Sequence, residues 1–412
     1  RIGTEETPAD YVAAGLFAYA DGAIIRNVAI ENAQINIKRT DSVRIYAGIV
    51  AGVMDKSETG AGALITNCAV SGTVSASSKD WSTVGGIVGQ SYDSVILNCS
   101  AHVDLTTVSV SGSALAGGIV GLDGFSILAN SYAMGSIYAD AGVNAATIGG
   151  IAGMQAGVAG NNYSDMKLTS KNATGDIGGI AGRNLATGIV RACDASGAIF
   201  GQSMTGGIVG ENLGSIVSCR GRSYVNIEST DPSIDLSNLN LEFSLDLAKL
   251  SRADTLNTAI DTGGIAGYSS GAIASSTNYA AVGYQHIGYN IGGVVGRSSG
   301  QVLACSNEGA ICGRKDVGGI AGQMEPYIRM EISDGLLQQL KTQLNELSGL
   351  VNTATNHAEG GSNEIASRLN SMSGYVDNAA NELNNVRLNA NIDSVITGDG
   401  SHSSDRGCMV SV

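Results

Sequence analysis

"VGGIVG" occupies Val84–Gly89, and near copies recur along the chain. They read "AGGIVG" at Ala116–Gly121, "IGGIAG" at Ile148–Gly153 and again at Ile177–Gly182, and "TGGIVG" at Thr205–Gly210. "TGGIAG" at Thr262–Gly267, "IGGVVG" at Ile291–Gly296 and "VGGIAG" at Val317–Gly322 complete the set. The first glycine of each pair falls at 85, 117, 149, 178, 206, 263, 292 and 318, in steps of 32, 32, 29, 28, 57, 29 and 26 residues. Weaker copies around Gly15 ("AAGLFA") and Gly48 ("YAGIVAG") bring the count to ten. Periods of roughly 20–50 residues mark solenoids and arrays.

A second motif follows the first. It reads "GALITNCAVSGTV" from Gly62, "DSVILNCS" from Asp93, "GIVRACDASGAI" from Gly188, "GSIVSCRG" from Gly214 and "GQVLACSNEGAI" from Gly300. Looser versions start at Gly22, Gly124 and Gly271. The apolar stretches are short, β-branched and punctuated by Gly, Asn, Asp and Ser, which favours strands and turns over helices. The expected fold is an all-β solenoid, a β-helix of about ten coils over residues 1–325, with strands about 4.8 Å apart. Ile49, Ile87, Ile119, Ile151, Ile180, Ile208, Ile265, Val294 and Ile320 hold one motif position and should form a buried ladder. Each buried isoleucine contributes roughly 1.5–3 kcal/mol. The glycines should serve positive φ or close backbone approach at corners. A phosphate loop needs one glycine-rich turn before one helix, not eight copies between strands.

The pairing of "GGIVG" with "GxIxNC" resembles the GLUG repeat of bacterial surface and secreted proteins, from about Gly15 to Gln323. The resemblance implies an extracellular β-helical stalk or adhesive region. Such repeats also flank the catalytic part of IgA-cleaving metallopeptidases, whose zinc site needs a His-Glu-x-x-His helix. His102, His286, His357 and His402 stand in no such pattern.

Composition narrows the function classes. Glycine (58) is roughly double its usual share, and proline is only 3. The net charge of −14 argues against nucleic acid and anionic membranes as main partners. No apolar run of about 18 residues occurs, so no membrane span is expected. The chain begins at Arg1 without Met or an apolar leader, which reads as a mature or excised fragment.

Cys68, Cys99, Cys193, Cys219 and Cys305 share one place in the second motif; Val28, Asn130, Tyr163 and Thr277 are read into that place elsewhere, and Cys312 and Cys408 lie outside it. Two readings stand: a ladder of buried free thiols, or disulfides between adjacent rungs such as Cys68–Cys99 or Cys193–Cys219.

The 57-residue step contains a degenerate coil or an insertion over 229–261, where Leu239, Leu241, Phe243, Leu245 and Leu247 alternate as a strand would. An insertion on a regular stalk is a good place for a binding feature. Beyond Pro326 the glycine pairs stop. Leu337, Leu340, Leu344, Leu347, Val351 and Ala354, then Ile365, Leu369, Met372, Val376, Ala379, Leu383 and Val386, predict a helical hairpin or coiled-coil segment over 326–390. It would cap the solenoid or recruit partners; 391–412 reads as a flexible tail.

No catalytic, cofactor-binding or metal constellation emerges. Asp93, Asp123, Asp165 and Asp194 are carboxylate candidates, and turn chemistry accounts for them. "GDGSHSSD" (Gly398–Asp405) lacks the ligand spacing of a calcium loop, although an acidic extracellular protein admits calcium at surface turns. Aromatic platforms look scarce: Trp81 is alone and the 14 tyrosines are dispersed in sequence. No regular threonine array suggests ice binding. The expected function is a non-catalytic stalk or adhesive surface, extracellular or cell-surface, meeting host or neighbouring-cell protein or glycan. The alternatives are an accessory region of, or a divergent, secreted polysaccharide- or protein-degrading enzyme, and a filament subunit self-associating through solenoid ends or helices. A groove lined by convergent carboxylates would favour the enzyme; dispersed acids would favour the adhesin.

Overall fold

One coil shows how the repeat folds. Its residues run through Ser82–Gly85, Val88–Tyr92, Val95–Leu97 and Ser100–Ser109, four strands separated by corners too short for anything but a bend. The next coil repeats the course through Ala114–Gly117, Val120–Gly124, Ile127–Ala129 and Tyr132–Asp140. Equivalent strands pair in parallel, with Gly85 opposite Gly117, Ile96 opposite Leu128 and Leu105 opposite Ile137. In a computed structural model that describes residues 11–57, 60, 62–142, 144–172, 174–227 and 259–325, this stacking yields four parallel sheets. They are called here sheets one to four in the order a coil visits them. Sheets one and two each contain ten strands.

Stacking puts every inward side chain over its counterpart, so the core is one column. A single cluster of buried apolar residues extends from Ala20 to Ile311. The isoleucine ladder is present, but at the bend between sheets one and two rather than within strands. Ile87 N–H donates to Ile119 O, Ile119 N–H to Ile151 O and Ile151 N–H to Ile180 O, each at 2.9 Å. Ile87 through Ile265 and Val294 are fully buried, whereas Ile320 on the tenth coil is 42 % exposed.

The paired glycines are there for space. A Cβ on Gly86 would run into the Gly118 carbonyl oxygen and the side chains of Ala101 and Val103. Neither Gly85 nor Gly86 lies at positive φ. Positive φ belongs instead to the corner between sheets three and four, where Asn27, Asn67, Asn98, Asn130 and Asn161 lie between 51° and 57°. Asparagine tolerates that region because its short amide bonds locally.

The long step in the repeat adds no rung. Gly206 pairs directly with Gly263, Asn212 with Ser269 and Ile216 with Ile273. Residues 228–258 lie outside the described residues, and Ile260 and Asp261, read into the insertion from sequence, belong to the strand Ile260–Gly263. The leucine alternation at 239–247, the helical segment 326–390 and the tail 391–412 lie outside the described residues.

Candidate binding surfaces

Sheet two carries an inward polar column that the sequence reading missed. Ser91, Asp123, Gln155, Asn184, Asn212, Ser269 and Ser298 share one register position and are all buried. Each is the second residue after the last glycine of the motif, so aligning the copies would have found the column. Asn184 Nδ2 donates to Asn212 Oδ1 at 2.8 Å and to Gly188 O at 3.1 Å, and Asn212 Nδ2 donates to Ser269 Oγ at 3.0 Å. Asp123 accepts from Ser126 N–H at 3.1 Å and Gly157 N–H at 3.0 Å. Burial pushes its carboxyl up to about 6 against those stabilising bonds. Asp123, Asn184 and Asn212 bond corner backbone groups, whereas the buried Gln155 amide has no hydrogen-bond partner among the described residues; the column is sealed from solvent, so its role is structural.

Cys68, Cys99, Cys193, Cys219 and Cys305 are free thiols, not rung-to-rung disulfides. Each Sγ donates to the carbonyl two residues earlier: Cys99 to Leu97 O at 3.2 Å, Cys193 to Arg191 O at 3.4 Å and Cys219 to Val217 O at 3.4 Å. The strand register also corrects which residues share the place. Ser131, Asn162 and Ser276 stand there, not Asn130, Tyr163 and Thr277, because Leu97 pairs with Ala129, Ala129 with Gly160 and Val217 with Ala274. Ser131 Oγ and Ser276 Oγ make the same bond two residues back, at 3.1 and 2.9 Å. From Cys68 onward the position holds a small side chain that donates to a backbone carbonyl. Burial raises the Cys99 thiol to about 11, and the neighbouring Cys193 thiol together with burial pushes Cys219 up. Neither is set up as a nucleophile.

The bend at Gly85–Ile87 folds sheet two back on sheet one, so their outward side chains meet in a re-entrant corner. A Cβ on Gly121 would lie 2.7 Å from Thr83 Cγ2. At the early coils the corner is filled by neutral groups, with Tyr46, Val53, Thr83 and Leu115 buried there. Later it becomes charged. Arg183 lies 2.6 Å from Asp176 and 2.5 Å from Glu211. Arg297 reaches Asp261 at 3.0 Å and Glu325 at 2.9 Å, while its guanidinium sits 4.5 Å from the Tyr268 ring centroid. Burial raises the Asp176 carboxyl to about 6; Arg183 pulls it down and Glu211 pushes it up. These carboxylates do converge, each pair on a shared arginine that offsets one of its two charges.

The four aspartates singled out by sequence are not brought together. Asp93 sits in a turn at φ 41° and pairs with Lys56 at 2.6 Å. Asp123 lies inside sheet two. Asp165 and Asp194 lie within the sheet-four strands Tyr163–Ser170 and Asp194–Phe200, not in turns, because those strands alternate inward apolar with outward polar residues. Among the described residues no group of three or more His, Cys, Asp or Glu is placed to hold a metal ion, and no helix is long and apolar enough to cross a membrane.

Sheet four has the longest strands, such as Ser100–Ser109. Its outer face gathers aromatics that are far apart in sequence. Tyr132 and Tyr163 stack with centroids 5.3 Å apart and planes 4° from parallel. Tyr138, Tyr224 and Tyr279 are exposed on the same sheet. Asp194 bridges Arg220 at 3.2 Å and Arg222 at 3.3 Å, and the Arg222 guanidinium lies 4.7 Å from the Tyr279 ring centroid. The tyrosines look dispersed in sequence because one coil separates residues that become adjacent rungs.

A family model described as the GLUG motif matches residues 82–108, the four strands of one coil. No curated protein and no solved structure matches the chain significantly. The same strand register recurs in the coils on either side of the match, so the matched motif coincides with one repeat unit of the fold.

Proposed function

We propose that this chain is a non-catalytic structural and adhesive module of a bacterial extracellular or cell-surface protein. Its stacked coils act as a stiff stalk that presents a binding face to host or neighbouring-cell molecules. The observation that carries this reading is the outer face of sheet four, a continuous parallel sheet set with exposed tyrosines and one stacked tyrosine pair. Exposed aromatics on a rigid frame favour binding because little side-chain entropy is lost on contact. The test displays the full chain on a non-adherent bacterium and measures attachment to host cells or other bacteria. Saturable attachment competed by the soluble chain supports the reading; attachment no greater than that of the bare strain contradicts it.

A second reading, a divergent solenoid enzyme acting on polysaccharide, draws on Asp176 and Glu211. They lie in one corner, and one of them is raised toward the range of a general acid. Turnover of a polysaccharide panel that is lost in Asp176→Asn would establish it. Absence of turnover by the parent chain would remove it.

A further inference from the structure

We infer that the outer face of sheet four, along Tyr132, Tyr163, Asp194, Arg220, Arg222 and Tyr279, binds an acidic polysaccharide whose sugar rings carry carboxylates. The inference rests on the adhesive reading and names the class of its ligand.

Register places these six residues on five successive rungs. Tyr132 pairs with Tyr163, Tyr163 with Asp194, Asp194 with Arg220, and Arg220 with Thr277, two residues before Tyr279. At about 4.8 Å per rung the strip is about 19 Å long, enough for several linked sugars rather than one small molecule. At one end the coplanar tyrosine pair offers a flat apolar surface with a polar edge. The C–H face of a pyranose ring fits such a surface while its hydroxyls reach polar neighbours. Tyr163 Oη already lies 2.8 Å from Ser196 Oγ, which shows the phenol edge in hydrogen-bonding range of the sheet.

The other end supplies charge. Arg220 and Arg222 have side chains 56 % and 47 % exposed, and both draw on the single carboxylate of Asp194, which is 18 % exposed. Two guanidinium groups on one carboxylate leave a surplus positive charge, in a chain whose formal net charge is −14. Asp165 and Lys167, exposed on the same face, offset each other. The Arg222 guanidinium lies over the Tyr279 ring, 4.7 Å from its centroid, and bonds Asp194, so its fork is pre-set rather than free. A planar guanidinium takes a carboxylate through two parallel hydrogen bonds, which a point charge cannot do. A strip with ring surface at one end and two cations at the other matches a short run of uronate sugars, in which one residue can stack while the carboxylate of another meets the arginines.

The test titrates the full chain with polygalacturonate, alginate and hyaluronate by calorimetry, with methyl-esterified polygalacturonate as the neutral ring control and single-stranded DNA as the bare polyanion control. The expected result is saturable binding of at least one acidic polymer, weakened at least tenfold for the ester and further weakened by salt. Arg220→Gln with Arg222→Gln should cost at least tenfold, and Tyr163→Ala at least threefold. Arg220→Lys with Arg222→Lys, which keeps charge and loses the fork, should fall between parent and Gln variant. Thermal melts of the variants should match the parent, and the ester comparison needs no variant at all. The inference is overturned if no acidic polymer binds, if the ester binds equally well, if the arginine variants bind undiminished, or if DNA binds as tightly as the sugars. Cell attachment that persists in any of those cases would leave the adhesive reading standing and remove only the ligand class.

Discussion

The amide of Ile87 donates to the carbonyl of Ile119 at 2.9 Å, so two isoleucines one coil apart occupy the same corner of successive rungs. The corner therefore carries both the backbone ladder and the apolar column, and its residues should be among the least replaceable in the chain.

Ile119→Ala removes a fully buried side chain between Ile87 and Ile151. Truncation there should cost about 2–5 kcal/mol. Ile320→Ala, at the 42 % exposed end of the same ladder, should cost less than about 1 kcal/mol. Urea denaturation of both variants checks the contrast; equal losses would refute a shared column.

Close packing, not backbone freedom, explains the paired glycines. A Cβ on Gly118 meets the Gly150 carbonyl and the Ala133 Cβ, whereas among the described residues nothing lies within 4 Å of a Cβ on Gly319. Gly118→Ala should lose at least about 3 kcal/mol or fail to fold, and Gly319→Ala should stay within about 0.5 kcal/mol of the parent. Thermal melts of the two variants measure the difference.

At the corner between sheets three and four, Ala192 and Ala304 both stand at φ 51°, where other coils place asparagine. The left-handed region costs an ordinary L-residue roughly 1–2 kcal/mol. Ala192→Asn and Ala304→Asn should each raise stability by about 0.5–1 kcal/mol and add when combined. A fall in melting temperature on either change would contradict the assignment of this corner.

Asp123 and Asp176 both rise from 3.8 to about 6 on folding, chiefly through burial. The native chain therefore keeps their protons between those two pH values while the unfolded chain releases them. Stability should increase as pH falls from 7 through 6 and reach its full gain below about 4, by about 1–3 kcal/mol per carboxyl. Asp140 works oppositely: the Gly142 amide and Lys171 depress its pKa, so its contribution is lost as pH falls through the acid range. Denaturation midpoints from pH 4 to 7 check the slope, and Asp123→Asn should reduce it.

Much of the architecture was legible because repetition exposes itself. Eight Gly-Gly pairs marked the rungs, and the recurrent isoleucines and cysteines marked shared places. Other features were hidden for physical reasons. Asn161-Asn162 and Asn130-Ser131 present adjacent polar residues, so only strand register shows which one turns inward. The 57-residue step left a degenerate coil and an insertion both open, and the direct pairing of Gly206 with Gly263 shows that no rung stands between them. The candidate surface was the least visible feature. Tyr132 and Tyr163 become neighbours only when two coils stack, and Arg222 reaches Tyr279 across the long step.

The central claim is that equivalent positions of successive coils lie side by side, and engineered cross-linking tests it most directly. Asp104 and Ser136 are register partners on sheet four, with Ser136 Oγ donating to Asp104 Oδ1 at 2.6 Å. Asp104 and Tyr138 are offset by two residues, because Tyr138 pairs with Thr106. Register partners fall within the roughly 4.4–6.8 Å Cα range of a disulfide, and the offset pair at about 8 Å does not. Oxidised Asp104→Cys/Ser136→Cys should cross-link within the chain, and Asp104→Cys/Tyr138→Cys should not. Equal cross-linking of both pairs, or of the offset pair alone, would contradict the solenoid.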